Sequence, residues 1–178
     1  CALCPRLCRA DRAAGATGIC GADDTLRVAR AALHMWEEPP ISGEAGSGTI
    51  FFSGCSLKCV FCQNHEISRG KKGYPVSVQT LADEFLRLQE MGAVNINLVT
   101  PTHFLPSLLP ALTPRLPVPV IYNCGGYERV ETLRMLDGLI DIYLPDFKYY
   151  SSYYSERYSR APDYFDVTVD AIDEMVRQ

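Results

Sequence analysis

The stretch SGCSLKCVFCQNHE, residues 53–66, places three cysteines within eight positions, separated by three residues and then by two. They are Cys55, Cys59 and Cys62. A structural zinc ion takes four ligands, and a catalytic zinc ion usually has histidine or carboxylate ligands rather than three thiolates of one short loop. Thiolates also hold iron–sulfur clusters. On a four-iron cluster, three thiolates leave one iron without a protein ligand, and that iron can bind and activate a substrate.

Length, composition and charge narrow the class of protein. At 178 residues and 47% apolar composition, the chain can bury one core, and its length favours a single domain. The net charge of −4 and the absence of a lysine or arginine cluster argue against nucleic-acid binding. No apolar run reaches the length of a membrane span. Because the chain begins at Cys1, we expect a processed, trimmed or partial product that has lost any leader.

The remaining cysteines are distributed unevenly. Cys1, Cys4, Cys8 and Cys20 occupy the first twenty residues, and Cys124 stands alone. Disulfide frameworks are typical of small secreted domains that lack a core, so close cysteine spacings in this chain favour metal ligation in a reducing compartment, the cytoplasm. Four thiolates could bind zinc or a second iron–sulfur cluster. Free or disulfide-paired thiols are the alternative at this position, and Cys124 is typical of a small buried residue.

Four runs rich in β-branched and aromatic residues alternate with helical patterns. The predicted strands cover residues 48–55, 94–100, 118–126 and 141–149. Helical patterns begin at Ser77, within FLPSLLPAL, at Val130 and after Asp163. For the last helix we predict an inner face formed by Phe165, Val169, Ile172 and Val176.

This alternation predicts an α/β fold with right-handed crossovers and a parallel sheet, whose strand-to-helix loops share one edge. The three-cysteine loop follows the first strand, so it belongs at that edge. Four units cannot close an eight-stranded barrel, and we expect a partial (β/α) barrel that is short at its carboxyl end. We predict two parts: a cysteine-rich, loop-like extension over residues 1–47, and the partial barrel over residues 48–178.

The cysteine spacing, Phe61 just before the last cysteine and the strand before the first resemble the signature of the radical S-adenosylmethionine (SAM) superfamily. The wider context LHMWEEPPISGEAGSGTIFFSGCSLKCVFCQNHEIS, with CALCPRLCR upstream, resembles the branch similar to pyruvate formate-lyase activating enzyme. Members of that branch usually continue for further strand–helix units.

The resemblance implies that Cys55, Cys59 and Cys62 hold a [4Fe–4S] cluster and that SAM chelates the fourth iron, with Phe61 near the adenine. One-electron reduction, by a donor such as flavodoxin or ferredoxin, would then give methionine and a 5′-deoxyadenosyl radical that abstracts hydrogen. In this branch the substrate would be a polypeptide, the glycine of a glycyl-radical enzyme. Radical modification of another peptide or small molecule is one alternative, and a non-catalytic iron–sulfur electron carrier or binding protein is another.

Four further residues are expected to bind SAM. Where the family has a segment of the Gly-Gly-Glu type, this chain has Thr100-Pro101-Thr102-His103, so Thr100 and Thr102 would accept the ammonium donors. Asn123 ends a strand before two glycines, which suits close approach to the ribose or the methionine. Asn64 lies beside the cysteine loop. An exposed polar turn is the alternative explanation for the threonines.

Two charged residues follow the fourth strand. Asp146 and Lys148 resemble the Asp-x-Lys element of activating enzymes, and their alternation directs both onto one face, so we expect them to act at the reacting centre. A salt-bridged pair at the barrel rim is the alternative. The tyrosine-rich stretch YYSSYYSERY, residues 149–158, predicts either a docking patch for a partner or an amphipathic helix that covers the sheet.

Overall fold

A computed structural model describes residues 1–70 and 72–178. Over those residues, six strands form one sheet in the order β3–β1–β2–β4–β5–β6. The strands are β1 (Arg27–His34), β2 (Ser47–Phe52), β3 (Tyr74–Pro75), β4 (Ile96–Val99), β5 (Val120–Cys124) and β6 (Ile142–Pro145). The helices are α1 (Pro39–Ser42), α2 (His65–Ser68), α3 (Val78–Glu90), α4 (Leu105–Ala111), α5 (Val130–Leu133), α6 (Ser152–Ser159) and α7 (Tyr164–Arg177).

The four strands predicted from the sequence are present, and they are parallel. β2 pairs with β4, β4 with β5 and β5 with β6, so Thr49, Asn97, Ile121 and Ile142 form one row across the sheet. The sheet does not close on itself, because β3 and β6 lie at its two edges. The prediction of an α/β fold with an open, largely parallel sheet is therefore confirmed, and the arrangement is consistent with part of a barrel.

Strand β1 departs from the predicted all-parallel sheet. It pairs antiparallel with β2, from Val28 opposite Phe52 to His34 opposite Ser47, with an irregularity between Val28 and Arg30. β1 therefore ends where β2 begins, and the chain leaves it at the amino ends of the parallel strands. The sheet also extends across residue 47, the boundary predicted between the two parts of the chain. Residues 1–26 form turns without helix or strand.

Helix α3 follows the helical pattern predicted from the sequence. α3 begins after Ser77, whose hydroxyl accepts the Thr80 N–H at 2.9 Å, and it buries Leu81, Phe85 and Leu88. These side chains pack with residues of β2 and β4 to form the main hydrophobic core. None of the helices in the described ranges combines the length and the apolar character needed to cross a bilayer.

The predicted inner face of the last helix is wrong by one residue. α7 buries the row that contains Tyr164, Thr168, Ala171 and Met175, whereas Val176 is 82% exposed. Tyr164 sets this rotation, since its hydroxyl lies 2.8 Å from the carbonyl oxygens of both Gly125 and Asp146, which share its one proton, and accepts the Lys148 N–H. Hydrogen bonds to the ends of β5 and β6 thus outweigh the more apolar stripe one residue further on.

Candidate active site

A cavity of about 620 Å³ lies along the carboxyl ends of the parallel strands. The three cysteines that follow β2 line it, together with residues that follow β4, β5 and β6. This is the edge at which parallel α/β sheets carry their sites. Predicted site residues that line the cavity are Cys55, Cys59, Phe61, Cys62, Asn64, Thr100, Asn123, Asp146 and Lys148.

The cysteine loop begins at a glycine that the backbone requires. Gly54 has φ of +94°, and a Cβ atom there would lie 2.8 Å from the Cys20 carbonyl oxygen, so only glycine fits. The Gly54 N–H donates to the Ile67 carbonyl at 2.8 Å, which joins the start of the loop to α2 at its end. Within the loop, the Leu57 N–H points at the Cys55 sulfur at 3.4 Å. The loop is therefore a closed turn that presents its thiols to the cavity.

Helix α6 supports the middle cysteine of the loop. The Ser159 hydroxyl donates to the Cys59 sulfur at 2.9 Å and lies 2.6 Å from the Tyr149 hydroxyl. The Val60 N–H donates to the Tyr158 carbonyl at 3.0 Å. The tyrosine-rich stretch thus contains a helix, but that helix covers the cysteine loop rather than the sheet, and several of its tyrosines remain exposed.

Arg6 joins the amino-terminal segment to the same loop. Its Nε donates to the Ser56 carbonyl at 2.9 Å and its Nη2 to the Ser159 carbonyl at 2.5 Å, while Nη1 donates to the Arg160 carbonyl. One guanidinium thus satisfies the last carbonyls of α6 and a carbonyl between the first two cysteines.

The three loop cysteines line one cavity and could supply thiolates to a cluster. Burial raises the pKa of Cys55 to about 11, so this thiol stays protonated until a metal displaces the proton. Among the described side chains, no group of three or more potential ligands is arranged to hold one metal ion. The thiolates of an iron–sulfur cluster bind different irons and do not converge on one point, so three thiols spread around one cavity fit such a group.

Comparison with known proteins agrees with this geometry. Residues 49–178 match the family described as Radical SAM superfamily, a region that begins in β2 and includes the cysteine loop and all four parallel strands. The chain belongs to the radical SAM superfamily. Family membership implies a [4Fe–4S] cluster and SAM as its cofactors. It carries no information on a narrower branch.

One relative of this radical SAM protein is the "Uncharacterized protein MJ0674" of Methanocaldococcus jannaschii. The two are 35% identical over 145 residues, which cover 76% of this chain and 42% of the relative. The chain therefore spans less than half of the length of that protein. No solved structure matches the chain.

The expected SAM-binding residues lie in different surroundings. The Phe61 ring is 55% exposed and stands 5.9 Å from the Tyr149 ring and 6.4 Å from the Tyr158 ring. Thr100 adopts φ of +56°, and its N–H donates to the Asn123 carbonyl at 2.8 Å. This bond aligns the ends of β4 and β5 at the cavity wall. For both residues, SAM binding stays a prediction.

Thr102 is turned away from the cavity. It is 1% exposed, and its hydroxyl donates to the Glu128 carboxylate at 2.7 Å and accepts from the Tyr122 hydroxyl at 3.1 Å. Thr102 is not among the residues that line the cavity, and its role in SAM binding stays a prediction. Sequence reasoning missed Glu128, a fully buried acid whose pKa burial raises to about 8.

Asp146 and Lys148 form an ion pair that faces the cavity, with 2.5 Å between carboxylate oxygen and Nζ. Burial lowers the pKa of Lys148 and the Asp146 carboxylate raises it, and the net change is upward. The two alternatives drawn from the sequence thus coincide: a salt bridge at the rim that also borders the cavity. A catalytic role stays a prediction.

The amino-terminal cysteines are grouped but do not form a preformed site. A Cβ atom on Gly18 would lie 2.9 Å from the Cys8 sulfur and 3.6 Å from the Cys20 sulfur, so these two are neighbours. The backbone N–H of Ala10 lowers the pKa of Cys8, and burial raises that of Cys4 to about 11. All four thiols, including Cys1, are free. A second metal site is therefore not established.

Sequence reasoning also missed an acidic wall of the cavity. His34 at the end of β1, and Glu37 and Glu38 in the following loop, line it from the amino ends of the parallel strands. Burial raises the pKa of Glu37. The only available indication was the pair of acids before two prolines in MWEEPP, a stretch that reads as a connector when taken alone.

Proposed function

We propose that this protein cleaves SAM reductively at a [4Fe–4S] cluster bound by Cys55, Cys59 and Cys62 and that it uses the 5′-deoxyadenosyl radical for hydrogen abstraction. The observation that carries the proposal is the position of three thiols around one cavity at the carboxyl ends of a parallel sheet, in a chain of the radical SAM superfamily. When bound, the cluster supplies the single electron that splits the sulfonium.

The residues of the chain position the reactants and limit access of water. The three cysteines would hold the cluster, and the exposed Phe61 ring offers an apolar surface for the adenine. The Thr100 hydroxyl and the Asn123 amide, held side by side, would accept hydrogen bonds from the methionine ammonium or the ribose. The Asp146–Lys148 pair would supply fixed charges beside the cysteine loop, since Lys148 and Leu57 both lie next to Gly125. The half-barrel walls reduce contact between the radical and solvent.

The direct test is anaerobic reconstitution of the protein with iron and sulfide, followed by reduction with dithionite in the presence of SAM. We expect 5′-deoxyadenosine and a loss of both bound iron and product in Cys62→Ala. Cys124→Ala is the matched control, because it removes a thiol outside the loop, and it should retain its iron. A wild-type protein that carries a full cluster but forms no 5′-deoxyadenosine would contradict the proposal and favour the electron-carrier alternative.

Activation of a glycyl-radical enzyme is a second, narrower candidate. The exposed aromatic surface beside Phe61 supports it, since Tyr150, Tyr153 and Tyr154 are each more than half exposed and tyrosine is favoured in protein interfaces. The test is electron paramagnetic resonance of a glycyl radical after incubation with pyruvate formate-lyase and SAM. Absence of the radical under conditions that yield 5′-deoxyadenosine would refute this candidate for that partner. Flavodoxin or ferredoxin as donor and a cytoplasmic location stay predictions.

A metal site formed by Cys1, Cys4, Cys8 and Cys20 is a separate proposal. The proximity of the Cys8 and Cys20 sulfurs supports it. Iron, sulfide and zinc analysis of a variant with both Cys4→Ala and Cys8→Ala tests it, because loss of a zinc ion or of a second cluster is the expected result. An unchanged metal content would remove the proposal.

A further inference from the structure

The cysteine loop has an inner side and an outer side. Its three cysteines line the cavity, whereas Lys58 and Val60, which lie between the cysteines, do not. Val60 is 59% exposed, so the outer side of the loop is part of the protein surface. Since Val60 directly follows Cys59, an expected cluster ligand adjoins that surface. The inner side is the side at which SAM would bind.

Two other segments adjoin the outer side of the loop, and Arg6 joins them to it. Its guanidinium donates to the Ser56 carbonyl at 2.9 Å and to the Ser159 carbonyl at 2.5 Å, and it also donates to the carbonyl of Arg160. The amino-terminal segment, the cysteine loop and the end of α6 therefore meet in one surface, although they are far apart in the sequence.

The three segments that meet there carry positive charge. Residues 1–10, 53–65 and 157–160 contain no aspartate or glutamate, although an acid flanks each segment. Their basic side chains are Arg6, Arg9, Lys58, Arg157 and Arg160. None of the ion pairs formed by the described residues involves any of these five. Because the whole chain has a net charge of −4, this positive charge is a local property that the fold creates.

The same surface has exposed apolar side chains. Leu7 follows Arg6 and is 48% exposed, and Val60 is exposed on the cysteine loop. Apolar side chains together with arginine are typical of protein interfaces. Complementary charge guides the association of two proteins and fixes their orientation, and complexes that transfer electrons form with small contact areas. These properties match a small surface for a protein of opposite, negative charge.

We infer that the outer side of the cysteine loop, with Arg6, Lys58 and Arg160 near Val60, is the docking surface for an acidic one-electron donor protein. The inference rests on the proposed function, because each cleavage of SAM would consume one electron at the cluster. With flavodoxin as donor, the anionic flavin hydroquinone gives one electron to the oxidised cluster and becomes the neutral semiquinone, so no proton is released. The surface lies outside the cavity, which leaves the cavity free for SAM.

The test measures binding of oxidised flavodoxin to the reconstituted protein by isothermal titration calorimetry at low ionic strength, where exposed charges are least screened. We expect the combined Lys58→Glu and Arg160→Glu substitutions to weaken binding at least about tenfold. Arg30→Glu combined with Arg115→Glu is the matched control, because it makes the same change in net charge at exposed residues outside the three segments. The control should change the affinity by less than about twofold.

Dithionite separates the docking surface from the cofactor site, because this small reductant needs no protein surface. The double variant should keep its bound iron and should form 5′-deoxyadenosine with dithionite as the wild type does. Arg160→Glu alone leaves the cysteine loop unchanged and should weaken flavodoxin binding about threefold. If the double variant loses iron, this single variant decides the result.

Several outcomes would overturn the inference. They are equal affinity of the wild type and the charge-reversal variants for flavodoxin, an equal loss of affinity in the matched control, and no binding of either flavodoxin or a ferredoxin by the wild type. In each case, formation of 5′-deoxyadenosine with dithionite would leave the proposed function intact. If binding depends on these charges but dithionite and SAM give no 5′-deoxyadenosine, the docking surface stands and the proposed function fails.

Discussion

Replacement of Glu128 by glutamine should stabilise the protein at neutral pH. Glu128 is fully buried beside Thr102 and Tyr122, and its two carboxyl oxygens lie 2.7 and 3.4 Å from their hydroxyl oxygens. Glutamine has nearly the same shape. Its amide oxygen can accept from Thr102 and its amide nitrogen can donate to the Tyr122 hydroxyl, so the variant keeps the hydrogen bonds without an ionisable group.

The magnitude follows from the two states of the carboxyl group. Burial raises the pKa of Glu128 from the ordinary value of 4.5 to about 8, so the unfolded chain releases a proton that the folded chain keeps. Between these two values the stability of the wild type falls as the pH rises, by about 1.4 kcal/mol for each pH unit. At pH 7 the accumulated loss is about 3 kcal/mol relative to a side chain that does not ionise.

The assay is urea denaturation followed by circular dichroism at pH 5, 6, 7 and 8, with all proteins in the same cluster state. We expect the difference in free energy of unfolding between Glu128→Gln and the wild type to grow with pH and to reach about 3 kcal/mol at pH 7. Glu156→Gln, which removes an exposed carboxylate on α6, should show no such trend. A difference that stays constant with pH would refute the assignment of a buried, protonated acid.

Three further predictions concern the surroundings of the cysteine loop. Ser159→Ala removes the hydroxyl that donates to Cys59, so a cluster bound there should have a midpoint potential lower by about 40 mV in a redox titration followed by electron paramagnetic resonance. Arg6→Lys cannot reach all three carbonyls and should lower the free energy of unfolding by about 1–2 kcal/mol, measured by urea denaturation. Burial lowers the pKa of His103 to about 4, so the wild type should lose up to about 3 kcal/mol as the pH falls from 6.5 to 4, and His103→Gln should lose less.

Local patterns were sufficient to predict the parallel part of the fold. Runs of β-branched residues separated by periodic helical segments place β2, β4, β5 and β6, and the cysteine loop lies where the first of these strands ends. β1 was not predicted as a strand because RVARAALH lacks strict alternation and contains alanine, and its stability comes from pairing with β2. The face of α7 depends on hydrogen bonds of Tyr164 to distant carbonyls, which no helical periodicity reveals.

The part of the candidate site that adjoins the parallel strands was predictable from the sequence. The three cysteines, Phe61 and the polar residues at the strand ends are close in sequence to the predicted strands, so their grouping follows from topology. The acids were not predictable. Glu37 reaches the cavity because β1 is antiparallel, and Glu128 is buried because it packs against Thr102 and Tyr122. Both depend on which segments meet in three dimensions.

The antiparallel direction of β1 has a consequence for the length of the molecule that the cavity can hold. It places the turn after His34 at the level of Asn95, about five residues, or roughly 17 Å, along the sheet from Thr100 at the end of β4. A compound held both at that turn and beside the cysteine loop would have to span most of this distance, so the depth of the cavity bears on the length of the substrate.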